Sequence, residues 1–237
     1  MTALAPGSTI GILGGGQLGR MLSVAASRLG YLTHIYEPGT APAGQVCAAL
    51  TQASYEDMSA LQDFANAVDV ITFEFENVPA TALDLLAALR PIRPGTTALA
   101  ISQDRLTEKT FLEGLGLTCA PFRDIGSLSA LEAALTDLGT PAILKTRRMG
   151  YDGKGQVHIR TPGQAQTAYA EMQGQDAILE GYVAFEREVS VIAARGVTGE
   201  VVCFDPGENV HECGILHTTT VPATLTGAQR TDAALLA

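Results

Sequence analysis

Apolar and polar positions along the chain alternate between two periods. Thr9-Ile10-Gly11-Ile12-Leu13 is a short, nearly unbroken apolar run and predicts a buried strand. Over residues 17–29 the spacing becomes helical, with Leu18, Met21, Leu22 and Ala25 on one face and Gly30 as the stop. Residues 33–36 predict a second strand, 57–66 a helix and 68–73 a third strand. The third is apolar almost throughout, as a parallel strand covered on both faces must be. Pro79 suits the first turn of a helix over 80–89, where a missing N–H costs nothing. This alternation predicts a doubly wound α/β unit.

Arg90-Pro91-Ile92-Arg93-Pro94-Gly95 reads as a boundary, a short strand flanked by prolines. A helical connector over 104–115 follows and stops at Gly116. Residues 127–138 predict a helix with Ser127 as its N-cap and Gly139 just past its end. Ala142-Ile143-Leu144-Lys145 is a strand, and Gly150-Tyr151-Asp152-Gly153-Lys154-Gly155-Gln156 is a glycine-rich turn beside it. A strand over 157–160 and a helix over 164–172 come next. Beyond Asp176 the pattern turns to strands, at 177–180, 188–194, 200–205 and 215–221. Gly196-Val197-Thr198-Gly199 supplies a hairpin turn between the second and third of these. Residues 226–237 read as the start of a helix. There is no internal repeat and no low-complexity tract.

The glycine turn with its two lysines carries the first chemical signal. Glycines let backbone N–H groups approach an anion, and Lys145 and Lys154 neutralise it. The arrangement suits a nucleoside triphosphate, although no G-x-x-x-x-G-K-[ST] is present. With 237 residues, 46% hydrophobic, the chain has room for one large or two small packed domains. Its net charge of −10 argues against a nucleic-acid partner, which needs a basic footprint. The four cysteines are widely spaced, with no C-x-x-C and no zinc-like Cys/His spacing. They read as reduced thiols in a cytoplasmic protein. No apolar run approaches a membrane span and no signal peptide is visible.

Gly14-Gly15-Gly16-Gln17-Leu18-Gly19 fits G-x-G-x-x-G after a strand, and Glu37 follows the second strand where a dinucleotide ribose ligand is expected. The same glycines also suit a tight turn needed for close packing, or a helix N-terminus that binds another ligand's phosphate. The rest of the chain disfavours NAD, because the Lys145 region follows in place of a second dinucleotide-binding half. Phe73-Glu74-Phe75-Glu76-Asn77-Val78-Pro79 puts two carboxylates at the C-terminal end of a parallel strand, where ligands sit in open sheets. Within Asp104-Arg105-Leu106-Thr107-Glu108-Lys109 the i,i+4 pairs are like-charged, which points Arg105 to a partner elsewhere. Glu180, Glu186 and Glu188 lie close together in sequence around a hinge. Its backbone can read an adenine edge and its carboxylates can accept from ribose hydroxyls; a plain polar strand edge is the alternative. His211 and His217, two of four histidines, fit structural or ligand-contacting roles better than metal ligation.

Taken in order, these segments resemble the ATP-grasp superfamily, and within it the N5-carboxyaminoimidazole ribonucleotide synthetases. The resemblance rests on GGGQLGRM (14–21), FEFENVP (73–79), QDRLTEK (103–109), AILKTRRMGYDGKGQ (142–156), LEGYV (179–183), EREVSVIAARG (186–196) and NVHECGILHTT (209–219). It implies an N-terminal doubly wound, parallel-sheet pre-ATP-grasp domain over 1–96. A partial α+β ATP-grasp domain would follow over 97–237, with a small lid near 118–178 and the start of a larger lobe over 179–237.

It also implies roles. Arg105 and Lys145 would contact ATP, and Gly150, Tyr151, Asp152, Gly153, Lys154, Gly155 and Gln156 would form the loop over its phosphates. Glu180 and Val183 would hold adenine through backbone groups, with Gly181 and Tyr182 between them at the ATP, Glu188 would hold the ribose, and His211 would lie at the nucleotide. Tyr151, Asp152 and Lys154 would face the carboxylation centre. Gly16, Gln17, Leu18 and Glu74, with Tyr151 and Asp152, would hold aminoimidazole ribonucleotide.

The implied reaction uses ATP, Mg2+ and bicarbonate to carboxylate that ribonucleotide in purine biosynthesis, within a homodimer. Family members continue past the matched stretch into a region that carries the Mg2+ ligands. Asp232 offers no metal pair, so the chain reads as a C-terminally shortened member with no assigned metal ligand. A formate-dependent glycinamide ribonucleotide transformylase-type ligase and a non-catalytic nucleotide-binding fragment are the rival readings.

Overall fold

The computed structural model describes residues 3–150, 154–212 and 214–237. They form two compact units, 1–104 and 105–237.

The first unit is built on a parallel sheet. Its strands are β1 (Thr9–Leu13), β2 (Leu32–Tyr36), β3 (Ala49–Thr51) and β4 (Val70–Phe73), in the order β3-β2-β1-β4. A single parallel bridge from Ile71 to Ile92 extends it at the proline-flanked boundary segment. Helix α1 (Gln17–Arg28) and a short 3-10 turn (Pro42–Gln45) cover one face, where Ile12, Ile35 and Ala43 pack. Helices α2 (Met58–Asn66), α3 (Ala80–Leu89) and α4 (Thr96–Ser102) cover the other, around Leu13, Tyr36, Leu61, Phe64 and Leu86. Asp57 caps α2 by accepting from Ala60 N.

Two sequence expectations change here. β3 is three residues long, too short to show a period. The apolar strip expected to bury α1 faces outward: Leu18, Met21, Leu22 and Ala25 are exposed, and the helix packs through Gly19 and Ser23. Small residues win because the approach is close. A Cβ on Gly19 would stand 2.7 Å from the Gly14 carbonyl oxygen.

The second unit begins with α5 (Arg105–Gly114), the connector expected over 104–115, while α4 ahead of it was not expected from the sequence. An antiparallel sheet follows in the order β5-β8-β6-β7, from β5 (Phe122–Ile125), β6 (Ala142–Thr146), β7 (Gln156–Ile159) and β8 (Ala177–Gly181). Helices α6 (Leu128–Leu138) and α7 (Ala165–Glu171) pack on one face, against Ala142, Leu144, Ala177 and Leu179. The Ser127 hydroxyl caps α6 by accepting from Ala130 N. Strand alternation sends Ile143, Lys145, Ile178 and Glu180 to the opposite face.

The remaining strands are β9 (Glu188–Ser190), β10 (Ala193–Arg195), β11 (Val201–Cys203), β12 (Gly207–Glu212) and β13 (Ile215–Thr220), ahead of α8 (Gly227–Leu236). The single strand expected over 188–194 is two. β9 pairs with β12, while β10 forms the Gly196–Gly199 hairpin with β11.

Candidate functional site

Lys145 and Glu180 meet on the face of the sheet opposite α6 and α7. Ile143 is directly opposite Glu180 in the β6–β8 register, so Lys145, two residues on, lies diagonal to it on the same face. Lys145 Nζ donates to Glu180 Oε2 at 2.8 Å. A second cation, Lys109 on α5, lies 3.4 Å from the other oxygen, Glu180 Oε1, and 5.7 Å from the centre of the Phe122 ring. Glu180 is nearly buried, its side chain 10% exposed. Burial is the largest single influence on its pKa and raises it. The Lys145 hydrogen bond and the charges of Lys145 and Lys109 together outweigh burial, and the carboxyl sits below its ordinary range.

The glycine loop is anchored at its neck. Arg105 Nη2 donates to the Gly150 carbonyl at 2.9 Å, and Arg105 N donates to Arg147 O. This is the partner that the like-charged pairs of α5 pointed to. Thr146 N donates to Gly155 O at 2.8 Å. Gly155 has φ +68°, and a Cβ there would stand 2.5 Å from Thr146 Oγ1. At Gly150 a Cβ would meet Thr146 Oγ1 at 3.1 Å and Lys154 O at 3.2 Å, so the loop's ends close on each other. The left-handed φ and the 2.5 Å contact require glycine at Gly155, and Gly150 leaves little room for a side chain. The expected roles of Tyr151, Asp152 and Gly153 fall on residues outside those described. On β7, the Gln156 side-chain amide lies against Gly214.

The hinge leaves β8 through Gly181, whose N–H donates to Pro121 O at 2.8 Å; Tyr182 N donates to Pro141 O. Tyr182 and Val183 are exposed. Glu188 on β9 and His211 on β12 come together, with His211 Nδ1 3.6 Å from Glu188 Oε1. Asn209 Nδ2 donates to the same oxygen at 3.1 Å, and its own Oδ1 accepts from Thr219 Oγ1 at 2.9 Å. A bulge between Val210 and His211 shifts the register just beyond this pair. Lys109 and Asn209 were inside motifs already noted, but nothing in the sequence marked them. Each acts through a side chain brought in from a different strand.

In the first unit the Gly14–Gly19 turn is held by two carboxylates. Glu37 Oε2 accepts from Gly15 N at 2.7 Å and its Oε1 from Gly39 N at 2.8 Å. Glu74 Oε1 accepts from Gly16 N at 2.9 Å, at the N-cap of α1. A carboxylate there suits the positive end of the helix. The amides that would take a dinucleotide pyrophosphate are thus already committed to internal anions, and Glu37 is a turn lock instead of a ribose ligand. Tyr55 is buried nearby, stacked between Tyr36 and Phe75 at centroid distances of 5.5 and 6.3 Å. Burial, then the charges of Glu37 and Glu74, push its pKa up, so the phenol stays protonated. Gln17 is exposed, as is Leu18, and Gln17 lines a groove of about 650 Å³ along α1 with Arg20, Met21 and Arg28.

Among the described residues no three His, Cys, Asp or Glu side chains converge to hold a metal, and no helix is long and apolar enough to cross a membrane.

Comparison with known proteins follows this division. Residues 7–103 match the ribonucleotide synthetase preATP-grasp domain, and residues 110–237 match the ATP-grasp domain. The chain is 55% identical over 227 residues to an N5-carboxyaminoimidazole ribonucleotide synthase of Brucella melitensis, covering 94% of this chain and 63% of that one. A solved N5-carboxyaminoimidazole ribonucleotide synthetase in its ADP complex superposes with a TM-score of 0.93 at 40% identity, over 98% of this chain and 62% of that one. The Aspergillus clavatus enzyme in complex with ADP and 5-aminoimidazole ribonucleotide gives 0.87 at 26% identity, over 98% and 61%. The chain therefore spans somewhat over three fifths of the length of these relatives. It belongs to the ATP-grasp family, with a ribonucleotide-synthetase preATP-grasp match preceding the ATP-grasp domain.

Proposed function

We propose that the chain carries the nucleotide and ribonucleotide sites of an ATP- and bicarbonate-dependent ligase that carboxylates 5-aminoimidazole ribonucleotide to its N5-carboxy derivative in purine biosynthesis. The observation that carries the reading is the sheet face opposite α6 and α7, on which Lys145 and Glu180 pair beside the neck of the glycine loop. The relatives crystallised with ADP and with the ribonucleotide support it.

In this reading backbone groups of Glu180 and Val183 hold adenine at the hinge that includes Gly181 and Tyr182. Glu188, oriented by Asn209 and backed by His211, accepts from the ribose hydroxyls. Lys145 and Arg105 meet the phosphates, and the loop from Gly150 to Gln156 folds over them, with Tyr151, Asp152 and Lys154 facing the carboxylation centre. A bicarbonate oxygen attacks the γ-phosphorus and ADP leaves, giving carboxyphosphate. The substrate amine then attacks the carboxyl carbon, phosphate departs and the amine loses a proton. Cations on the transferring group stabilise the charge that develops, and a closing glycine loop keeps water from the labile intermediate.

The Gly14–Gly19 turn with Gln17, Leu18 and Glu74 takes the ribonucleotide. Glu74 spends Oε1 on Gly16 N, which leaves Oε2 for a ligand donor. Mg2+ accompanies ATP in this chemistry. Among the described residues no three His, Cys, Asp or Glu side chains converge to hold it. We place the protein in the cytoplasm as a homodimer, with the substrate side over 1–96 and the ATP-grasp part over 97–237.

The test is ADP formation from ATP and bicarbonate with and without the ribonucleotide. Formation that depends on the ribonucleotide supports the ligase. ADP binding without turnover would favour the reading of a nucleotide-binding fragment.

A further inference from the structure

Glu180 has two lysines, one on each oxygen. Lys145 reaches Oε2 from β6, and Lys109 reaches Oε1 from α5. The side chains of Lys109 and Lys145 are 18% and 20% exposed against 10% for Glu180, so all three charges sit largely out of water. A buried carboxylate needs one cation to be compensated, and a second is surplus. If Lys145 is to meet the nucleotide phosphates, it must give up some or all of its bond to Glu180. With no other cation present, that would leave a buried anion facing an incoming polyanion.

Lys109 removes this conflict. It uses the other oxygen, so Lys145 can leave while Lys109 stays in place. It is fixed from beneath by the Phe122 ring, which the β5–β8 register sets directly opposite Glu180. We propose that Lys109 is a positioning residue, the standing counter-ion of Glu180, which frees Lys145 to turn from Glu180 to the phosphates of a bound nucleotide. The proposal rests on Lys145 being the phosphate ligand.

Two cycles test it, one without any nucleotide. In the first, the unfolding of the ligand-free chain is measured for Lys109→Met, Lys145→Met and the double variant. Either single change leaves Glu180 one cation, so each costs little. The double change leaves none, and its loss exceeds the sum of the two. Additive losses would overturn the proposal, because each lysine would then be acting alone.

In the second, ADP is titrated into Lys109→Met with Glu180 intact and with Glu180→Gln. Weakening of about tenfold is expected in the first background, falling to about twofold in the second, where no anion needs a counter-ion. Equal weakening in both backgrounds would make Lys109 a direct phosphate ligand and overturn the proposal. Lys109→Arg should retain affinity. An unchanged ADP affinity in Lys145→Met alone would instead refute the phosphate role of Lys145, and so separates failure of that reading from failure of this one.

Discussion

Replacing Gly155 by Ala tests whether the glycine loop is set by its neck. The residue has φ +68°, and an L side chain in the left-handed region costs roughly 1–2 kcal/mol. The new Cβ would also stand 2.5 Å from Thr146 Oγ1 and 3.4 Å from its Cγ2. Thr146 is buried on β6, and its N–H holds Gly155 O at 2.8 Å, so neither partner can drift away. Overlap in a packed site adds roughly 1–3 kcal/mol. The total is about 2–5 kcal/mol. Thr146→Ala removes both close atoms and leaves only the backbone part. In that background the same Gly155→Ala change should cost about 1–2 kcal/mol. Urea unfolding of the four proteins, followed by circular dichroism, measures both costs in the transition of residues 105–237. An equal penalty in the two backgrounds would show that Thr146 does not close the neck.

Glu74→Ala leaves Gly16 N–H and the start of α1 without their carboxylate. It should lower stability by about 1–3 kcal/mol in thermal unfolding, with Glu74→Gln costing less because an oxygen remains. Asn209→Ala removes the donor 3.1 Å from Glu188. It should weaken ADP binding about fivefold in a calorimetric titration, and an unchanged affinity would detach Glu188 from the nucleotide. The Glu180 pKa is depressed in the folded chain, so the unfolded chain binds its proton more readily. Its contribution to stability is whole above the ordinary value of 4.5 and fades as pH falls through the lower folded value. Urea midpoints measured downward from pH 6 should drop less steeply in Glu180→Gln than in the parent. His34 is held below its ordinary 6.5 by burial, so its contribution also fades on acidification, starting nearer pH 6.5.

What the sequence showed most clearly was wherever glycine or charge interrupted a period. The turn after β1, the Ser127 cap and the Gly196–Gly199 hairpin all stand where the residues put them. The strands β3, β5 and β12 were not visible, because their pairing is set by neighbours far away in the chain. The run 188–194 looks like one strand because its side chains suit either sheet, and only pairing divides it between β12 and β11. The apolar strip of α1 misled for the opposite reason. Periodicity marks a face, but the close approach of Gly19 to the Gly14 carbonyl decides which face the sheet can accept. In the site, Lys145, Glu180, Glu188 and His211 were legible through their motifs. Lys109 was not, since its partner Glu180 lies on β8, far away in the chain.

The central claim is that nucleotide binds on the Lys145–Glu180 face of the second unit's sheet and not at the glycine turn of the first. Amide hydrogen exchange with and without ADP tests this directly. The account predicts added protection across 142–146, 177–183 and 188–190, with the amides of 14–19 unchanged. Protection gained at Gly14–Gly19, with none around Lys145 and Glu180, would contradict it.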